Sequence, residues 1–276
     1  MSLDLDERQR AMLQEIGVRV WLPPRRDTPQ PATKFAIEKI AVQPIPARPE
    51  VEFLPESSVP ARWPAEALDG SALVQAVAAC QACQLCSGRR APVFGRPGPL
   101  QPADWLVLGE PPDEDEERAG SAFAGSAGQL LDNMLRALQL TRSTGEGVAA
   151  PAGRAYLSNV VKCRPAVVRI PQPQELLACE PFLQREIALV RPKVILAMGR
   201  FAAQALLQAS QPEAATLPLG KLRGQTYQYQ GVPVIVTYHP GYLLRSQAEK
   251  ARAWLDLCRA RAVVLGTAGA SDGRLA

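Results

Sequence analysis

The chain has 276 residues, of which 47% are hydrophobic, and 31 Lys and Arg stand against 27 Asp and Glu. It has no apolar run of about 18 residues, so we expect no membrane span. The acidic start, residues 1–6, lacks the cationic and apolar regions of a secretory signal, which predicts a cytoplasmic protein. The net charge of +4 permits binding to nucleic acid but does not require it.

The first part of the chain predicts a peptide on a tether. Residues 5–16 carry an imperfect apolar stripe typical of a short helix. Residues 23–64 contain ten prolines and little periodicity, which favours an extended linker. The predicted division is a docking peptide at 1–22, a proline-rich linker at 23–64, a folded domain at 65–265 and a flexible tail at 266–276.

From residue 65 onward, predicted strands and helices alternate. This alternation predicts an α/β fold, a three-layer sandwich whose mostly parallel central sheet is covered on both faces. The predicted strands span 105–109, 155–161, 193–198, 227–229 and 232–236, and the predicted helices span 71–80, 128–140, 173–190, 200–208 and 247–263.

His239 is the only histidine, and it follows the apolar run at 232–236 within the stretch TYHPGYLLR. A strand end that delivers a histidine into a Pro/Gly turn is where open α/β sheets build sites. The alternative is a histidine whose ring is satisfied by a backbone hydrogen bond.

Cysteines form two spaced pairs, Cys80 with Cys83 and Cys163 with Cys179, with Cys86 close to the first pair. Four thiolates satisfy either a zinc ion or an iron–sulfur cluster, and spacing alone does not choose between them. Because Cys80, Cys83 and Cys86 share one spacing, any two of them are candidate ligands. The alternative is a set of buried free cysteines.

Short motifs follow one another in a fixed order between about residues 78 and 260. They are CQACQL at 80–85, VFG at 93–95, GEPP at 109–112, FAGSAG at 123–128, NVVKCRP at 159–165, VILAMG at 194–199, RG at 223–224 and the histidine motif. This order resembles the family 4 uracil-DNA glycosylases, the iron–sulfur branch of their superfamily. The resemblance implies a glycosylase-like fold, hydrolysis of the N-glycosidic bond of uracil in DNA, and a structural 4Fe–4S cluster on Cys80, Cys83, Cys163 and Cys179.

The resemblance also implies roles for residues at the strand ends. Phe123 is expected to stack on the extracted base, and the Asn159 carboxamide to donate to uracil O4 and accept from N3–H. His239 is expected to donate to O2, where negative charge grows as the bond breaks. Gly109 and Pro111 belong to the turn expected to touch the base.

Acidic and DNA-facing residues complete the predicted site. Glu110 and Glu116 are expected to orient water and stabilise the cation-like sugar. For Glu116, an equal alternative is a solvated acidic loop over 113–117. Residues expected to enter the gap left by the base or to contact phosphates are Leu243, Leu244, Arg164, Arg223 and Arg245.

A second function competes with the first. Residues 13–21, LQEIGVRVW, are similar to the N-terminal peptide of the psi subunit of the DNA polymerase III clamp loader, whose body has a glycosylase-like fold. In addition, Asp113, Ala122 and Ser126 stand where the family has Gly, Pro and a basic residue. The alternative is therefore a weakly active or inactive adaptor that binds clamp-loader subunits through residues 8–22. We expect a monomer in either case.

Overall fold

A computed structural model describes residues 68–95, 100–142, 152–165, 169–208 and 210–266. All of them lie in the compact unit that begins at Leu54. The predicted docking peptide, the proline-rich linker and almost all of the predicted tail fall outside the described residues and stay predictions. Within the described ranges, no helix is both long and apolar enough to cross a membrane.

The described strands form one mixed sheet. Its spatial order is β2-β3-β1-β4-β6-β5, and every neighbouring pair is parallel except β5 with β6. The strands are β1 (Trp105–Gly109), β2 (Thr141–Arg142), β3 (Arg154–Asn159), β4 (Val194–Met198), β5 (Thr226–Tyr229) and β6 (Val232–Thr237).

Helices connect the strands and cover both faces of the sheet. In chain order they are α1 (Gly70–Ala79), α2 (Glu114–Ala119), α3 (Gly125–Ala137), α4 (Pro173–Val190), α5 (Arg200–Leu207), α6 (Pro212–Ala215), α7 (Leu219–Leu222), α8 (Pro240–Arg245) and α9 (Lys250–Val264). In the part of the chain that the structure describes, two 3₁₀ helices span Gln84–Gly88 and Gln247–Glu249.

Side chains of β1 show why this is a three-layer structure. The strand is buried along its whole length, and successive residues point to opposite faces of the sheet. Leu106 and Leu108 enter one core, which includes apolar residues of α1, α4 and α5. Trp105 and Val107 enter a second core, with residues of α3 and α9. The predicted fold class is confirmed.

Two short helices replace segments predicted as loops. The acidic run forms α2, which begins with a capping box between Asp113 and Glu116 and ends at Gly120 in the left-handed conformation, φ +62°. The Pro-Gly turn after His239 is the first turn of α8, because proline is well suited to the first helical position.

The sheet brings three predicted site segments to one edge. Gly109 and Asn159 are paired in register at the carboxyl ends of β1 and β3. His239 follows β6 at the same edge, since β1, β4 and β6 run parallel. This is the edge at which open α/β sheets bind ligands.

Candidate active site

The carboxamide of Asn159 is held firmly at the end of β3. It is 1% exposed. Nδ2 donates to the backbone oxygen of Glu110 at 2.8 Å and to Oε1 of Glu116 at 3.1 Å. Oδ1 is buried without a hydrogen-bond partner among the described residues. A buried unpaired acceptor costs about 1–3 kcal/mol, so this oxygen is a strong candidate to receive a donor from a ligand.

Glu116 ties three segments of the site together. Its Oε2 accepts from the backbone N–H of Asp113 at 2.8 Å, and its Oε1 accepts from that of Phe123 at 2.6 Å as well as from Asn159. Burial raises the pKa of this carboxyl, while the donated hydrogen bonds oppose the rise. The solvated-loop alternative is therefore wrong for Glu116, whose two oxygens are both occupied within the protein.

Phe123 occupies a backbone conformation that is unusual for an aromatic residue. Its φ is +54°, in the left-handed region, where strain is about 1–3 kcal/mol. The hydrogen bond to Glu116 and one from Arg142 Nη2 to the Phe123 carbonyl (3.1 Å) hold it there. A Cβ at Gly109 would lie 2.6 Å from the ring, and one at Gly128 would clash with the Phe123 carbonyl. Both glycines therefore make room for this residue.

His239 is a neutral imidazole of defined orientation. Its Nδ1 accepts the backbone N–H of Gly241 at 3.2 Å, capping α8. Burial, with a smaller contribution from the charge of Arg245, lowers the pKa of His239 to about 4. Because Nδ1 is the acceptor, the proton of the neutral ring lies on Nε2. The ring stacks on Phe123, with ring centroids 5.4 Å apart. His239 therefore lies at the predicted site edge and also makes the backbone hydrogen bond that was the alternative to a site role.

Glu110 follows β1 and has a different environment from Glu116. Its Oε1 accepts the backbone N–H of Phe201 at 3.2 Å, at the start of α5. Burial raises the pKa of Glu110 to about 7, opposed by that N–H and by the charge of Arg200. A carboxyl with a pKa near neutrality changes charge in the range where a general base is useful.

The four cysteines predicted as ligands line a single pocket, together with Cys86. Burial raises the pKa of the Cys83 and Cys163 thiols, and raises that of Cys179 to about 12. Nη1 of Arg89 donates to Sγ of Cys163 at 3.0 Å. The pocket thus combines thiols from several chain segments with the guanidinium of Arg89.

In donor chemistry, several thiols that face one pocket fit either a zinc ion or an iron–sulfur cluster. Among the described residues, no group of three His, Cys, Asp or Glu side chains is arranged to hold a metal ion.

Comparison with known proteins agrees with this geometry. Residues 97–260 match the model of the family described as the Uracil DNA glycosylase superfamily. The chain belongs to that superfamily. It is similar to the Type-4 uracil-DNA glycosylases of Pyrobaculum aerophilum (34% identity over 194 residues, 69% of this chain and 92% of the relative) and Thermotoga maritima (35% over 174 residues, 63% and 82%). The resemblance to the family 4 uracil-DNA glycosylases is confirmed.

The ring of Phe123, the carboxamide of Asn159 and the imidazole of His239 lie close together, as the resemblance to the glycosylases implies. Asn159 and Phe123 share an oxygen of Glu116, and Phe123 stacks on His239. Gly109 lies beneath the ring, and Pro111 is partly exposed in the turn that follows Glu110.

The structure corrects part of the predicted DNA-facing set. Leu243 is 1% exposed and packs inside, whereas Leu244 is 38% exposed and Arg245 is also exposed. The Arg223 side chain is 10% exposed and its Nε donates to Asp256 Oδ2 at 2.6 Å, so the structure gives it a protein partner, and its phosphate contact stays a prediction. Arg164 is three-quarters buried, and its Nε donates to Glu117 at 2.9 Å.

Sequence reasoning missed several supporting residues of this glycosylase-family site. Tyr242 is 40% exposed beside Leu244 on α8 and contacts Tyr238, with ring centroids 5.0 Å apart. Glu117 is buried and accepts from Arg164 and from the backbone N–H of Arg90. The proline after His239 was the available signal for α8, since it marks a helix start as readily as a turn.

Proposed function

We propose that this protein hydrolyses the N-glycosidic bond of uracil in DNA. The observation that carries the proposal is the buried, unpaired Oδ1 of Asn159 in a site that also contains Phe123 and the neutral His239. The names of its Type-4 relatives support the same activity. The base must leave the duplex to reach this edge, because its bond to the sugar is inaccessible within the stack.

Oδ1 of Asn159 supports recognition of uracil through one atom. Uracil presents an N–H at position 3, which Oδ1 would accept. Cytosine presents a lone pair there, so two acceptors would face each other at a cost of about 1–3 kcal/mol. Both N–H groups of the carboxamide already donate to Glu110 and Glu116, so the predicted donation to O4 has no free hydrogen.

His239 would stabilise the leaving base. Its neutral ring carries a proton on Nε2 and donates it as a hydrogen bond to O2 of the departing uracil anion. A preorganised donor of this kind contributes about 3 kcal/mol to transition-state stabilisation. The ring must be neutral for this role, because only an unprotonated Nδ1 can accept the Gly241 N–H, and this hydrogen bond fixes the orientation of the ring.

The two predicted acids would then have different tasks. Both oxygens of Glu116 are occupied by protein donors, so it acts as a positioning residue for Phe123 and Asn159. Glu110, with its pKa near 7, is the better candidate to orient water and offset the positive charge of the sugar.

The cysteine pocket supports a 4Fe–4S cluster on Cys80, Cys83, Cys163 and Cys179. When bound, such a cluster would cross-link chain segments that are distant in sequence. A brown protein with iron and sulfide in equal amounts would support this assignment, and a colourless anaerobic protein with stoichiometric zinc would contradict it. Replacing Cys86 by Ser tests the remaining ambiguity, since iron content falls only if Cys86 is a ligand.

Uracil release from single- and double-stranded oligonucleotides tests the proposed function. We expect His239→Ala and Asn159→Ala to lose most activity. Asn133→Ala is the matched control, because Asn133 is exposed on α3 and its Oδ1 bonds only a neighbouring arginine. The proposal fails if the folded, metal-loaded protein releases no uracil, or if Asn159→Ala releases it at the wild-type rate.

The comparisons with known proteins do not support the clamp-loader role, and residues 8–22 lie outside the described part of the chain, so this role stays a prediction. It is tested by capture of clamp-loader subunits with the full chain and with a chain lacking residues 1–22. The predicted monomeric state and cytoplasmic location are likewise kept as part of the proposal.

A further inference from the structure

Lys162 is a fully buried cation between the base-reading edge and the cysteine pocket. It is 1% exposed, and its Nζ lies 2.6 Å from Oε2 of Glu186, which is also buried. Buried ion pairs are poor sources of stability, because removing two charges from water offsets their attraction. What distinguishes this pair is the set of groups that it joins.

The side chain of Lys162 holds the end of β3. Its Nζ donates to the backbone oxygen of Asn159 at 3.0 Å and to Oγ of Ser158 at 2.6 Å. Glu186 accepts from Ser158 Oγ and from the hydroxyl of Tyr156, both at 2.9 Å. Three residues of the strand that presents the carboxamide are therefore fixed to α4 by one buried network.

The backbone of Lys162 faces the other way, toward the cysteines. Lys162 lines the cysteine pocket together with Cys179, and Cys163 is the next residue. Cys179 and Glu186 both lie on α4, seven residues apart, which places them on one face two turns apart. The same helix face therefore carries the carboxylate that pairs with Lys162 and a cysteine of the pocket that Lys162 lines.

A further backbone connection leads from Lys162 to the stacking ring. Its carbonyl accepts the N–H of Val93 at 2.7 Å, and the carbonyl of Phe94 accepts the N–H of Ala122 at 3.2 Å. Ala122 directly precedes Phe123. Lys162 is thus hydrogen-bonded to the backbone of Asn159 and is linked through Val93 and Phe94 to the loop of the ring, while it also lines the cysteine pocket.

We propose that Lys162, paired with Glu186, is a positioning residue that couples metal binding in the cysteine pocket to the placement of Asn159 and Phe123. The inference rests on the proposed function for its catalytic readout. Coupling between two sites is reciprocal, so filling the base site must also retain the cluster.

The test uses the metal-loaded full-length protein. Lys162→Met alone leaves the charge of Glu186 buried and unpaired, so the main variant is Lys162→Met/Glu186→Gln, which removes both charges. Glu186→Asp, which keeps the charge but shortens its reach, is the milder second variant. Lys193→Met/Asp104→Asn is the control, since it removes an ion pair of 2.8 Å at the opposite edge of the sheet.

Two readouts are measured on each variant. The first is the rate of visible bleaching under an iron chelator, with and without uracil-containing oligonucleotide. The second is kcat and KM for uracil release. For the main variant we expect faster bleaching that the oligonucleotide no longer slows, and a loss in kcat of about 10-fold to 100-fold, typical of a slightly misplaced group. The control pair should match the wild type in both readouts.

The outcomes separate this inference from the proposed function. Wild-type bleaching and kcat in a folded Lys162→Met/Glu186→Gln or Glu186→Asp protein would overturn the coupling. A wild-type protein that releases no uracil would overturn the proposed function alone, because the bleaching comparison does not require catalysis.

Discussion

Replacing Glu110 by Gln should stabilise the protein at high pH while reducing its activity. The folded carboxyl has a pKa near 7 against an ordinary value of 4.5. Between these values the folded state binds a proton that the unfolded state has lost, so stability falls as the pH rises through this window. The difference of 7 − 4.5 corresponds to about 3 kcal/mol at pH 8. Glutamine cannot ionise and avoids this penalty.

Urea unfolding at pH 8 and at pH 4.5 or below measures the effect. We expect the variant to exceed the wild type by up to about 3 kcal/mol at pH 8 and to match it at the lower pH. Glu213→Gln on α6 is the control, because Glu213 is exposed. In parallel, the kcat/KM of the wild type should rise through pH 7, and that of Glu110→Gln should be low and flat.

The reasoning would be refuted by a Glu110→Gln protein that is less stable than the wild type at pH 8. If the kcat/KM of Glu110→Gln still rises through pH 7 as in the wild type, Glu110 does not have the proposed catalytic role.

Three further predictions concern other residues of the site. Glu116→Gln places an amide N–H₂ where an oxygen now accepts, so at least one charged hydrogen bond is lost and unfolding free energy drops by about 1.5–3 kcal/mol, with kcat falling as well. Gly109→Ala puts a Cβ 2.6 Å from the Phe123 ring, so uracil release should fall about 10-fold or more in a protein of unchanged circular dichroism. Relative to His239→Gln, the wild type should become less stable by up to about 3 kcal/mol as the pH drops from 6.5 to 4, because the folded His239, with its pKa near 4, resists protonation. The opposite contribution of Glu110 is present in both proteins and cancels from this difference.

The strands and long helices were predictable because each is encoded locally. The residues of β1 are an unbroken apolar run, which predicts a central strand covered on both faces. A proline marks the start of α4, because proline is favoured in the first turn of a helix. The ordered motifs also placed Phe123, Asn159 and His239 at one edge. These are patterns that a single segment carries by itself.

The remaining features depend on contacts between distant segments. The acidic run at 113–117 looks solvated by composition, and only the donors of Phe123 and Asn159 explain why Glu116 is buried. Leu243 and Leu244 are the same residue type, so the sequence alone does not show which of them is buried. That depends on which face of α8 packs against the domain. The burial of Lys162 is equally hidden in the sequence, because its partner Glu186 lies on a helix 24 residues later.

The fit of Phe123 between Gly109 and Gly128 restricts how this pocket can be altered. The position of the Phe123 ring depends on the left-handed backbone of Phe123 and on glycine at both 109 and 128, since a Cβ at either position would collide with Phe123. Redesign toward a bulkier nucleobase would therefore have to change several of these positions at once, because a change at one of them alone displaces the ring from the place that the others fix.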